Sequence, residues 1–161
     1  MMQQNCFKRV LLHIYLLIVK DNSMLKRFAI YGALGWIMEI LWTAVWSGMQ
    51  GDWKLRGHTY LWMFPIYGMA VFLEPIHDYL RKLPVFLRGL LWMAFIYAIE
   101  YTTGWLLDLM LGVCPWDYSA SPLSVDGYIR LDYAPAWMIA GLAFEKIHDF
   151  LDQFLGRYKI L

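Results

Sequence analysis

This sequence is short of charge. Only 17% of its 161 residues are charged, against about a quarter in an ordinary soluble domain. Hydrophobic residues make up 60% and aromatics 18%. Such a chain has too few polar groups to cover its own surface in water, and lipid asks for no such cover. The net charge of +1 is too small for the basic field of a nucleic-acid binder, so nucleic acid is excluded as a partner. Cysteine is nearly absent. Cys6 and Cys114 are the whole supply, and the topology read below puts them on opposite sides of a membrane. That excludes an intramolecular disulfide and a metal site built on cysteine. A phosphate-binding G-x-x-x-x-G-K-S/T loop is missing, so an ATPase, if one is involved, is another chain. The one long polar stretch holds no catalytic triad and no dense acid–base cluster. No catalytic residue is assigned, and no cofactor is indicated.

What the sequence does have is long apolar runs. A membrane-spanning helix takes about 20 mostly apolar residues. Four stretches qualify: Phe28–Gly48, Thr59–Leu80 (with Pro65 and Pro75 inside it), Val85–Leu111 and Tyr133–Leu155. The pattern predicts an all-α, polytopic four-helix membrane bundle. Between the third and fourth helices lies a polar loop, Gly112–Asp132, with turn chemistry at Ser121-Pro122 and Asp126-Gly127. Eleven basic residues (Lys8, Arg9, Lys20, Lys26, Arg27, Arg81, Lys82, Arg88, Lys146, Arg157, Lys159) fall on one side. Three (Lys54, Arg56, Arg130) fall on the other. Positive residues stay inside, so both termini are expected in the cytoplasm and the polar loop outside. Residues 1–23 are read as an extension, either a peripheral helix or a mis-assigned start before Met24, because the apolar run Val10–Val19 is too short to span. Residues 24–155 form the transmembrane domain, and 156–161 a short cytoplasmic tail.

Each apolar stretch carries one glutamate: Glu39, Glu74, Glu100 and Glu145. A carboxylate in hydrocarbon is costly unless protonated, paired or bound to a cation, which makes each a candidate ion, proton or ligand site. Helical neighbours three and four residues away are small or polar: Gly35 and Thr43 beside Glu39, Thr103 and Gly104 beside Glu100, Ala70 and His77 beside Glu74, Gly141 and His148 beside Glu145. Small residues mark helix contacts in membranes. The acids are therefore expected to face a bundle interior. Glu39 and Glu100 lie deepest and are expected to face one another.

An internal echo joins the second and fourth stretches. Phe72–Leu80 reads FLEPIHDYL and Ala143–Leu151 reads AFEKIHDFL. Both contain Glu-x-x-His, an element that soluble di-iron bundles use together with two further glutamates. Here Glu39 and Glu100 lie about a helical turn or more deeper than the pairs, so no metal site is assigned. If one exists, its ligands are Glu74, His77, Glu145 and His148. Otherwise His77 and His148 each pair with the glutamate preceding it, and Asp78 pairs with Arg81 or Lys82.

Five short motifs carry a resemblance. They are Tyr31-Gly32, Gly35-Trp36 and Glu39; Pro65-Ile66-Tyr67-Gly68; Glu100-Tyr101-Thr102-Thr103-Gly104; Cys114-Pro115-Trp116-Asp117-Tyr118-Ser119; and Gly127-Tyr128-Ile129. Together they resemble the family described as putative ABC-transporter type IV (CmpB-like), which includes the transmembrane protein 229 group. The likeness covers about Met24 to Phe150. It departs where Pro122-Leu123-Ser124-Val125-Asp126-Gly127 replaces a Pro-Phe-Asn-x-x-Gly stretch. The resemblance implies a small multi-pass membrane protein. Its expected partners are the lipid bilayer and either a second copy of the chain or a separate ATPase subunit. Two functions follow: a small permease-like component handling a cation or proton, or a non-catalytic membrane assembly protein. A membrane enzyme is a third class that no residues here support. In the outer motif, Asp117 is expected to bond the Ser119 backbone. The alternative is a cavity mouth lined by Trp116 and Tyr118, with Asp117 attracting a cation.

Overall fold

A computed structural model describes the backbone of residues 2–155 and the side chains of residues 23–155. Cys6, the side chains of the 1–23 extension up to residue 22, and the tail 156–161 lie outside the described residues. The chain is mostly helical and divides into two compact units, Met1–Leu73 with Leu151–Leu161, and Glu74–Phe150.

The first unit is built on one long helix, α1 (Met2–Met49). Its stretch Ser23–Met49 is long and apolar enough to cross a membrane. Large side chains along it, among them Met38, Leu41, Val45 and Met49, are more than half exposed, the reverse of a helix buried in a soluble core. The chain returns along α1 as α2 (Met63–Gly68) and a 3₁₀ segment, Met69–Leu73. Gly32 and Gly35 leave the room that Phe64 and Tyr67 fill. Phe64 packs edge-on against Phe28 and Trp36, ring centroids 6.2 and 5.1 Å apart. Arg27 is fully buried and donates to Asp152 Oδ1 at 2.7 Å.

The expected second spanning helix is broken. In place of one rod over Thr59–Leu80 there are α2, the 3₁₀ segment and α3 (Glu74–Leu80). Proline explains the breaks. Pro65 and Pro75 each fall in the first turn of a short helix, where the missing N–H is no loss. In a continuous helix Pro75 would remove a bond and clash with the carbonyl four residues back.

The second unit holds α3, α4 (Val85–Leu111) and most of α5 (Ala134–Leu155). α4 keeps the predicted bounds and is the other helix long and apolar enough to span. It starts after Pro84 and stops at Gly112, whose φ of 72° allows the left-handed cap and whose N–H bonds Asp108 O at 2.8 Å. From Arg88 to Asp108 the helix rises about 30 Å, the thickness of a hydrocarbon core. α5 has the length but carries Glu145, Lys146, Asp149 and Asp152 in its second half. Past α4 the loop folds into a two-stranded hairpin, β1 (Ser124–Val125) against β2 (Ile129–Arg130). Its turn has positive φ at Asp126 (52°) and Gly127 (76°), the pairing a type I′ turn needs.

Gly141 sets the approach of α5 to α4, since a Cβ there would collide with Trp92. Gly141→Leu should therefore cost about 1–3 kcal/mol by overpacking, read as a lowered thermal midpoint in detergent. Gly89→Ala, which faces the flexible end of Met138, should cost clearly less. Equal losses would contradict this packing.

Candidate functional site

The two echoed motifs meet in the second unit. The short α3 and the second half of α5 bring their Glu-x-x-His turns face to face. His148 Nδ1 lies 3.3 Å from Glu74 Oε1, and His77 Nδ1 lies 3.6 Å from Glu145 Oε1. Each histidine therefore meets the glutamate of the other element, not the one preceding it. This corrects the expected local pairing. Positions three apart on one helix share a face, so the Glu and His of each turn both project towards the other element, and the contact between the two turns is reciprocal. The imidazole rings stand edge to face, centroids 5.0 Å apart. All four residues are 4% exposed or less.

Four further groups close the cluster. Trp92 Nε1 donates to Glu145 Oε1 at 2.8 Å, and the Arg88 guanidinium stands 3.1 Å from the same oxygen. Asp149 Oδ1 accepts from Arg81 and lies 3.4 Å from His77 Nε2. Arg81 also reaches Asp78 at 3.4 Å, as expected. Arg88, Trp92 and Arg81 were not legible as site residues. The available signal was an arginine and a tryptophan four apart on one face of an apolar helix, with Gly89 between them.

Around the buried core of the cluster, three carboxylates (Glu74, Glu145 and the part-exposed Asp149) face two guanidiniums and two imidazoles. His77, His148 and Asp149 offer ligand atoms all within 4.8 Å of one another. The group can hold a cation.

The other candidates lie elsewhere. Glu39 belongs to the first unit. Its Oε2 accepts from the hydroxyls of Thr59 at 2.9 Å and Tyr67 at 3.0 Å. Thr43 holds the same return strand to α1 by exchanging bonds with the backbone of His58 at 2.8 and 2.9 Å. Glu100 is in the second unit and accepts from Tyr118 at 3.0 Å. This joins two candidates that the sequence listed apart, the acid and the outer-loop motif.

The hairpin that follows the motif is fastened to α4 by aromatic donors. Tyr101 bonds Asp126 at 2.8 Å, Tyr128 bonds Asp108 at 2.7 Å, and Tyr97 bonds Arg130 O at 2.9 Å. The hydrogen bond to Asp108 pushes the Tyr128 hydroxyl up to about 12. Asp117 Oδ1 accepts from Ser119 N–H at 2.8 Å, and bonding to Ser119 holds the carboxyl below its ordinary range. Burial pushes the Cys114 thiol up, away from a reactive thiolate. Asp117 and Tyr118 line a cleft of about 270 Å³ with Ser121 and Pro122, but so does Arg130, whose charge opposes a cation there. Trp116 is buried and donates to Tyr128 O at 2.9 Å, a prop for the loop and not a cavity lip.

The sequence profile described as "Putative ABC-transporter type IV" matches residues 27–160. The chain belongs to this family. No solved structure matches it significantly. The match takes in every acid considered above, the outer loop and the histidine cluster. Two helices of spanning length and a transporter-type family place the chain among membrane proteins.

Removing one partner of a buried ion pair strands the other. Arg88→Met should destabilise this family member by about 3–5 kcal/mol, because Glu145 is left buried beside His77. The double variant Arg88→Met/Glu145→Gln should recover most of the loss. Denaturation in detergent reads both, and simply additive losses would contradict the pairing.

Proposed function

We propose that the chain is a multi-pass membrane component of a transport system, handling a cation or proton through carboxylates set inside its helices. The observation that carries this reading is the buried cluster of Glu74, His77, Glu145 and His148, in which each histidine stands against a glutamate of the other element. An intramembrane ionisable group is a functional-site candidate by default, and membership of a transporter-type family supports the same class. Glu39 and Glu100 serve as further ion-handling groups, each held by tyrosine hydroxyls that orient a carboxyl without neutralising it. In this reading α5 and the α2–α3 return cross the bilayer as α1 and α4 do, both termini are cytoplasmic, and the hairpin loop is outside. A separate ATPase subunit or a second copy completes the machine.

One observation favours a second reading, a membrane assembly protein. The bonds to Glu39 from Thr59 and Tyr67 are also what a helix lock looks like. Reconstitution separates the two. Purified protein in liposomes should pass protons or monovalent or divalent cations down an imposed gradient. Glu145→Gln, Glu39→Gln and Glu100→Gln should each lower that flux about tenfold or more with folding intact. No flux in the wild type, with loss of assembly in the variants, supports the lock.

A further inference from the structure

We propose that His77, His148 and Asp149 bind a borderline divalent transition-metal ion of the zinc class, with Glu74 and Glu145 orienting the two histidines and Arg81 competing for the site. The proposal rests on the cation-handling reading of this cluster and names the ion.

Three features point to such an ion rather than to an alkali metal or calcium. The first is the donor set. Two imidazoles and one carboxylate suit zinc and its first-row neighbours, whereas the hard cations take oxygen. The second is ring orientation. A metal-bound histidine nearly always points its other ring nitrogen at a carboxylate or carbonyl, which fixes the tautomer and strengthens the donor. Here a carboxylate stands beside one ring nitrogen of each histidine, where it can give that backing. Nδ1 of His148 faces Glu74 at 3.3 Å, and Nδ1 of His77 faces Glu145 at 3.6 Å. In His77 the opposite nitrogen, Nε2, stands 3.4 Å from Asp149 Oδ1, and a ring nitrogen of each histidine lies within 4.8 Å of that carboxylate. Glu145 is itself held by Trp92 and Arg88, so this support is rigid. The third is burial: both histidines are 2% exposed, which keeps water from competing.

The ligand atoms lie within 4.8 Å of one another. Around a tetrahedral zinc with bonds near 2.0–2.1 Å they would stand about 3.3 Å apart. Small side-chain rotations close the difference, and the fourth position stays open, as it does wherever three protein ligands hold zinc and a further group exchanges. Arg81 sets the entry condition. Its guanidinium occupies Asp149 Oδ1, yet 40% of its side chain is exposed at the connection between α3 and α4. It has room to swing out. Metal and guanidinium exclude each other electrostatically at the shared carboxylate, so the arginine acts as the cation that holds the site when no metal does.

The full chain, purified without a polyhistidine tag, is titrated with Zn(II) against a chromophoric chelator, in parallel with Co(II) absorption. One equivalent per chain is expected. His77→Gln and His148→Gln should abolish stoichiometric binding. Glu74→Gln and Glu145→Gln should weaken it about 10–100-fold, the usual effect of losing an orienting partner. Arg81→Gln should tighten it, an outcome that a merely misfolded protein does not give. No stoichiometric binding by the wild type, or affinity unmoved in both histidine variants, overturns the proposal. The same preparations are assayed for ion flux. Flux without zinc binding removes the metal and leaves the cation-handling reading standing. Zinc binding without any flux keeps the metal as a structural ion and removes the transport reading.

Discussion

The second unit depends on one arrangement, two carboxylate–imidazole contacts crossed between α3 and α5. Each of the four groups would be costly alone in an apolar setting. Crossed, each glutamate stands against an imidazole nitrogen of the other element. The near-identical motifs FLEPIHDYL and AFEKIHDFL make this natural. Two copies of one pattern facing each other complement themselves when Glu of one meets His of the other, the logic of an interface with two-fold symmetry. The symmetry ends one turn on. Counting along the echo, Arg81 corresponds to Asp152, a cation against an anion. It is this unmatched arginine that turns to Asp149.

Around that crossing, large aromatics do the packing and glycines make the space. Trp92 is 1% exposed and lies against Gly141, with Phe144 edge-on at 5.1 Å between centroids. The indole thus fills the contact and hands its one polar atom to Glu145. The first unit repeats the device in another key, with Tyr67 seated over Gly35 and its hydroxyl given to Glu39. In both, one side chain supplies apolar area and the donor that a buried acid requires. At the far end of α4 the hairpin loop is fastened by tyrosines, so the polar groups of the second unit collect at the two ends of a helix that is apolar between them.

Much of this could be read before any coordinates. The bounds of α4, the apolar run within α1, the start of α5, the Asp126-Gly127 turn and the bond from Ser119 to Asp117 follow from local pattern, and local pattern is what a sequence displays. Pro65 and Pro75 were visible, but their effect depends on whether each lies within a helix or at the start of one. The structure places both at starts, which breaks the expected second rod. The partners of His77 and His148 were misassigned because spacing reports what shares a face and not what that face meets. The same limit hid Arg88 and Trp92, which read as a basic flank and one aromatic among many. Tyr118 reaching Glu100 was beyond local inference, since they stand 18 positions apart, across the end of α4 and the start of the loop.

The crossed pairing can be tested by distance. Solid-state NMR of the lipid-reconstituted protein, with ¹⁵N-histidine and ¹³C-glutamate, measures the dipolar coupling between ring nitrogen and carboxyl carbon. The account predicts that the His148 Nδ1 coupling disappears in Glu74→Gln, where the ¹³C-carboxylate label is lost, and persists in Glu145→Gln, with His77 showing the opposite response. A coupling that instead follows the glutamate three residues before each histidine would contradict it.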